Sequence, residues 1–190
     1  MNIELLTITP DCEYVIERAG RICYNSKMGD PTIIQRWIKS GHESVIEHGV
    51  VSFIVSDVSR SESHQHVRHR IASFAQVSQR YVDEYGFNYV MPPSIKDNVK
   101  AEEIFIECME HIQSAYDELT TLGIKKEDAR FVLPNACTTK FAVTMNFREL
   151  RSFFKLRRDS HAQWEIREVA NKMLEIVKPY APNVFFDMWV

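Results

Sequence analysis

The hydrophobic pattern of this chain changes period several times, and that limits the folds open to it. Between Gly49 and Asp57, Val51, Phe53 and Val55 alternate with Ser52, Ile54 and Ser56, the two-residue repeat of a β-strand. Thr138 to Met145 alternates again and is rich in β-branched residues, and Ile3 to Ile8 alternates loosely as a first strand. Other segments repeat at helical spacing. Asp11 caps a helix running to Tyr24 through Val15, Ile16, Ala19, Ile22 and Cys23. Asp30-Pro31 opens a short helix that Gly41 ends, and Ser59-x-x-Glu62 is a capping box for a helix to about Arg70. A long helix follows from about Asp97 to Leu122, with Gly123 past its end. Asn146-x-x-Glu149 caps a helix through about Arg157, and Ser160-x-x-Gln163 caps the last one, ending near Pro179. Ser78 to Val82 reads as a short strand. Strands interspersed unevenly with helices predict an α+β fold, a mostly antiparallel sheet with several packed helices, as a single domain over 1–190.

Bulk properties narrow the function classes. A net charge of −3 with seven further histidines is not the cation excess that general nucleic-acid binding needs. No apolar run is long enough to span a bilayer, and the N-terminus has neither the basic start nor the apolar stretch of a signal peptide, so the expected location is the cytoplasm. Cys12, Cys23, Cys108 and Cys137 are scattered and read as reduced, mostly core thiols. His42, His48, His64, His66 and His69 form no metal-ligand spacing, so no metal site is expected.

The chemistry concentrates in Arg68-His69-Arg70-Ile71-Ala72-Ser73-Phe74-Ala75-Gln76-Val77-Ser78-Gln79-Arg80. Helical spacing places Gln65, Arg68 and His69 on one face. Basic groups at a helix C-terminus also suit its dipole, which is the plain structural reading. Arginine forks combined with Gln76 and Ser78 are, however, a donor set that binds phosphate esters. Arg-His-Arg, seven residues, then Ser resembles the signature of the flavin-dependent thymidylate synthases. Further blocks resemble that family in order: His42-Glu43-Ser44-Val45-Ile46-Glu47-His48, Arg130-Phe131-Val132-Leu133-Pro134, Asn146-Phe147-Arg148, and Leu156-Arg157-Arg158-Asp159-Ser160-His161-Ala162-Gln163.

The resemblance implies transfer of a methylene group from 5,10-methylenetetrahydrofolate to C5 of dUMP, with FAD reduced by NADPH as the hydride source. It implies a homotetramer with sites at subunit interfaces. Gln65, Arg68, Gln76, Ser78, Arg80, Arg130 and Arg157 match positions that hold dUMP, and Arg157, the catalytic residue, faces the pyrimidine. Ser44, Glu47, Arg68, His69, Arg70, Gln76, Asn146, Arg148, Ser152 and His161 match positions that contact FAD. The chain has no G-x-G-x-x-G, so no Rossmann-type cofactor site is expected. Two positions depart from the family pattern. Ala75-Gln76 stands where Asn-Glu is common, losing a carboxylate, and Ser152 stands where Asn is frequent, losing reach.

Plainer assignments compete elsewhere. Cys137 precedes a strand and reads as packing rather than as a nucleophile. Lys125-Lys126-Glu127-Asp128 reads as a solvated helix start, Tyr81 and Tyr85 as sheet packing, and Phe131, Phe185, Phe186 and Trp189 as core or interface. Arg158 reads as an electrostatic neighbour of Arg157. Two rival functions remain at this level. A nucleic-acid-binding module would use the arginines but leave Glu43, Glu47 and Asp159 unexplained. A phosphohydrolase would need a metal-binding carboxylate cluster, which the sequence does not display.

Overall fold

A computed structural model describes residues 1–23 and 25–189. The fold is α+β, with a four-stranded antiparallel sheet in the order β1-β2-β4-β3. The strands are β1 (Asn2–Ile8), β2 (Val50–Ser59), β3 (Ala72–Gln76) and β4 (Thr138–Asn146). The helices are α1 (Cys12–Ile22), α2 (Ile33–Lys39), α3 (Arg60–His66), α4 (Pro93–Lys96), α5 (Val99–Thr121), α6 (Lys126–Ala129), α7 (Phe147–Arg157) and α8 (Trp164–Val177). Tight 3₁₀ turns cover Glu43–His48 and Arg130–Val132. The chain clusters into two compact units, one of residues 1–55, 65–75 and 142–190, the other of residues 56–64 and 76–141.

In the first unit the alternating pattern does what its period requires. Val51, Phe53 and Val55 are buried, and so are Val143 and Met145 on β4. Cross-strand pairing is reinforced where the Ser52 and Thr144 hydroxyls hydrogen-bond at 2.7 Å. Helix α7 buries Phe147, Leu150, Phe153 and Phe154, while Arg148, Ser152 and Lys155 remain exposed. Phe147 and Phe154 each meet the Phe185 ring edge-on, at 5.6 and 5.7 Å.

The start of α7 is fixed twice. The Asn146 side chain accepts the Glu149 N–H at 2.9 Å, as its capping pattern predicts, and the Phe147 N–H donates to the Gly49 carbonyl at 2.8 Å. Gly49 is needed there because a Cβ would lie 2.4 Å from the Phe147 ring.

The second unit is organised on α5. Asn98 caps it by accepting the Ala101 N–H, and Gly123 follows its end at φ +83°, in the left-handed region foreseen for it. Phe87, Met109 and Cys137 form its core, with Phe105, Ile112 and Leu133 against them. Tyr116 is fully buried, and its hydroxyl accepts the Glu84 N–H.

Several expectations need correction. The Ser59 hydroxyl does accept the Glu62 N–H at 3.0 Å, but α3 stops at His66 rather than Arg70. Arg68 and His69 therefore sit in a turn, with i→i+3 bonds to the Gln65 and His66 carbonyls, and do not share a helical face with Gln65. The strand expected at 78–82 is a turn. The pairing strand is β3, earlier in the chain, and Tyr81 on that turn and Tyr85 on the next are exposed rather than packed on a sheet. The last helix is capped by Gln163, whose side chain accepts the Glu165 and Ile166 N–H groups, not by Ser160. Cys23 and Cys108 are exposed, so only Cys12 and Cys137 are core thiols. Of the aromatics read as core or interface, Phe185 is core, and Phe131 and Trp189 are exposed in the single chain, which leaves the interface reading open to them.

Gly49→Ala is expected to cost about 1–3 kcal/mol, because overpacking against Phe147 must be relieved by backbone shift. Equilibrium urea denaturation against the unaltered protein checks this.

Candidate active site

In the first unit a cleft of about 770 Å³ is lined by Glu43, Glu47, Ile71, Asn146, Arg148, Glu149, Ser152, Lys155 and Leu156. Helix α7 supplies one wall because residues three and four apart lie on one face, which sets Arg148, Ser152 and Lys155 in line and Glu149 beside Leu156 by way of Ser152. The opposing carboxylates come from the 3₁₀ turn, whose Ile46 is fully buried and anchors it. Arg148 donates from Nη1 to Glu47 at 2.6 Å, and its Nε lies 3.9 Å from Glu43. Lys155 Nζ is 3.8 Å from the other Glu43 oxygen. These pairs are half exposed, so they contribute little to stability and can be exchanged for a ligand's charges.

Beside this cleft, in the same unit, lies a buried relay. Arg157 donates from Nε to His69 Nε2 at 3.0 Å and from Nη2 to the Gln65 carbonyl at 3.2 Å. His69 Nδ1 is 3.1 Å from Glu149 Oε1. Burial holds the His69 pKa down at about 4, with the Arg157 charge and His66 adding to the effect. The Glu149 contact is therefore a hydrogen bond to a neutral ring at pH 7, not an ion pair. Burial likewise raises the Glu149 pKa.

In the second unit Arg80 donates from Nε and Nη2 to a single Glu127 oxygen at 3.1 and 2.9 Å, and Arg130 Nε donates to the Glu127 carbonyl. Glu127 thus gathers both arginines, and Lys126 pairs with Asp83 at 3.1 Å, so this helix start is more than solvated charge. Ser78 turns its hydroxyl to the Arg80 N–H at 3.3 Å. Gln76 donates from its amide N–H₂ to the Ser63 hydroxyl on α3 and the Thr139 hydroxyl on β4, at 2.9 and 3.0 Å. Cys137 is fully buried with its thiol pKa pushed up to about 12, chiefly by burial, which removes it as a nucleophile.

Of the residues expected to contact FAD, Glu47, Asn146, Arg148 and Ser152 line the first cleft. Ser44 is exposed on the same 3₁₀ turn as Glu47. Arg68 and Arg70 are exposed on either side of buried His69, whose two ring nitrogens are both engaged within the chain. His161 is 95% exposed in its side chain and pairs with Asp159 at 2.7 Å. Arg158 donates to Asn171 and to the Trp189 carbonyl, which ties down the C-terminal segment.

Sequence reasoning missed Glu149, Lys155, Ile71 and Leu156 as site residues. The α7 members were within reach of it, since they flank Ser152 at helical spacing.

The family model described as "Thymidylate synthase complementing protein" matches residues 4–183. The chain belongs to that family. It is 45% identical to the flavin-dependent thymidylate synthase of Geobacter sulfurreducens over 98% of its own length and 86% of the relative's. It is 42% identical to the enzyme of that name from Clostridium tetani, over 97% and 85% of the two chains. The Sulfurisphaera tokodaii enzyme of that name is 41% identical, over 97% and 76%.

The depressed His69 pKa has a signed consequence. The unfolded ring, near 6.5, binds a proton that the folded ring refuses until about pH 4, so this group's contribution is complete above pH 6.5 and lost as pH falls toward 4. The Glu149 shift works in the opposite sense, and so the comparison must isolate the histidine. Between pH 7 and 4.5 the unaltered protein should lose about 2 kcal/mol more stability than His69→Gln. Urea denaturation of both at the two pH values measures the difference.

Proposed function

We propose that this chain is a flavin-dependent thymidylate synthase that reductively methylates dUMP to dTMP. Residues 1–190 act as one catalytic domain, assembled as a homotetramer in the cytoplasm, with sites at subunit interfaces. The one-carbon donor is 5,10-methylenetetrahydrofolate. FAD, reduced by NADPH, supplies the hydride when bound.

The cleft on α7 fits a dinucleotide cofactor chemically. Arg148 and Lys155 offer charge-assisted donors to phosphate, and Glu43 and Glu47 accept from sugar hydroxyls or ring N–H groups. Ile71 and Leu156 offer apolar surface to a ring, and the volume lies within the usual range for such sites. Ser44, Glu47, Asn146, Arg148, Ser152 and His161 are the proposed flavin contacts, with Arg68, His69, Arg70 and Gln76 as the remaining family-matched positions. Asn146 spends its carbonyl on the helix cap, so its amide N–H₂ is the group left to donate.

Gln65, Arg68, Gln76, Ser78, Arg80, Arg130 and Arg157 are the proposed dUMP-holding residues. Arginine forks suit the phosphate because two parallel N–H donors match two of its oxygens. A nucleotide phosphate would replace Glu127 as the acceptor for Arg80, exchanging one exposed ion pair for another. Arg157 faces the pyrimidine. Its positive fork would stabilise negative charge at N3 and O4 of the uracil, which raises the electron density at C5.

The observation that carries this reading is the fixation of Arg157. Hydrogen bonds from Nε and Nη2 hold its guanidinium in one plane before any ligand arrives, as a preorganised cation requires. A nucleic-acid-binding arginine, by contrast, would need no buried tether.

Purified protein should be yellow, with a flavin spectrum that NADPH bleaches; protein that stays colourless after FAD is added counts against the proposal. Arg157→Lys keeps the charge but loses the planar fork. Flavin binding should persist while dUMP methylation falls by about 10²–10³. Turnover equal to that of the unaltered enzyme would remove Arg157 from its assigned role.

A further inference from the structure

Hydrogen-bond logic along the buried relay leaves little freedom. Arginine Nε carries a hydrogen and no lone pair, so in its contact with His69 it can only donate. His69 Nε2 must therefore be bare and accepting. A neutral imidazole with bare Nε2 carries its proton on Nδ1, which lies 3.1 Å from Glu149 Oε1. The carboxylate accepts that N–H, and the order Glu149–His69–Arg157 satisfies both ring nitrogens.

The surroundings hold the ring in place. Facing His69 are Glu149 and Arg157 from α7 and His66 from α3, and the Phe153 ring meets His69 edge-on at 4.9 Å. Phe153 also stacks on His66 at 4.7 Å, and Phe74 from β3 meets His66 edge-on at 5.9 Å. His69 is almost fully buried, so neither ring nitrogen can exchange its partner for water without opening this aromatic packing.

We propose that Glu149 and His69 are positioning residues for Arg157: the Glu149 carboxylate locks the His69 tautomer, and the bare Nε2 aims the Arg157 guanidinium at the nucleotide base. His69 then acts through Arg157, and Glu149, which faces both the relay and the α7 cleft, sets the tautomer from one helical turn inside the site. Loss of the carboxylate would free the ring to move its proton to Nε2. Two N–H groups would then oppose each other, and the guanidinium would swing away. This rests on the assignment of Arg157 to the pyrimidine, and the test separates the two.

The test uses holoenzyme carrying ¹⁵N-histidine, with His69 identified by the resonances lost in His69→Gln. In the unaltered enzyme Nδ1 should show the shift of a protonated ring nitrogen and Nε2 that of a bare one, unchanged from pH 8 to pH 5. Glu149→Leu should move the proton to Nε2 and lower kcat for dUMP about ten- to a hundredfold, measured at saturating flavin. Glu149→Gln still offers an acceptor oxygen, so it should keep the tautomer and retain more turnover than Glu149→Leu. A protonated Nε2 in the unaltered enzyme overturns the proposal, as does Glu149→Leu with native kcat and tautomer. Should Glu149→Leu fail to fold, the ring spectrum of the unaltered enzyme and the Glu149→Gln result decide. Absence of dUMP methylation and of flavin in the unaltered enzyme defeats the proposed function instead, and the tautomer is still judged by its own spectrum.

Discussion

The contact between the Gly49 backbone and the Phe147 ring sets the frame for everything chemical in the first unit. The hydrogen bond from Phe147 N–H to the Gly49 carbonyl, with no Cβ between them, seats the start of α7. From that seat one helix delivers Arg148, Glu149, Ser152 and Lys155 to the cleft, then Arg157 at its final residue. Any rotation of α7 would move all of them together, because a helical turn fixes their relative bearings. The buried phenylalanines resist such rotation.

The electrostatics divide into two regimes. Around the cleft, carboxylates and cations are half exposed, weakly coupled and able to trade partners. In the relay the charges are separated by a neutral imidazole, and burial removes the water that would otherwise compete. Adaptable charge suits ligand capture; fixed charge suits a transition state. The helix carries both kinds on successive turns.

Much of the architecture was legible in the sequence because hydrophobic period survives folding unchanged. β2, β4, α5 and α7 begin and end close to where alternation, capping residues and Gly123 place them. The errors cluster in 66–82. There polar and basic residues blur the period, and β3 is held by pairing with a distant strand rather than by its own composition. Motif spacing singled out Glu47, Asn146, Arg148 and Ser152, which line the α7 cleft, and Arg157, which His69 and Gln65 hold. It could not find the Glu149–His69 link, since residues 80 positions apart meet only through tertiary packing. Nor could it show that Glu127 gathers Arg80 and Arg130, or that Gln76 donates to the hydroxyls of Ser63 and Thr139.

Arg151 sits on the underside of α7, fully buried, and donates to the Val184 carbonyl and to both oxygens of Asp187. Peeling residues 184–187 away would strand an ionised guanidinium in an apolar interior, a state far costlier than ordinary end fraying. The tail is thereby enrolled in the same cooperative opening unit as the helix above it. Its amides should exchange with solvent only as slowly as those of α7, and so the chain's last segment behaves as interior rather than as an end.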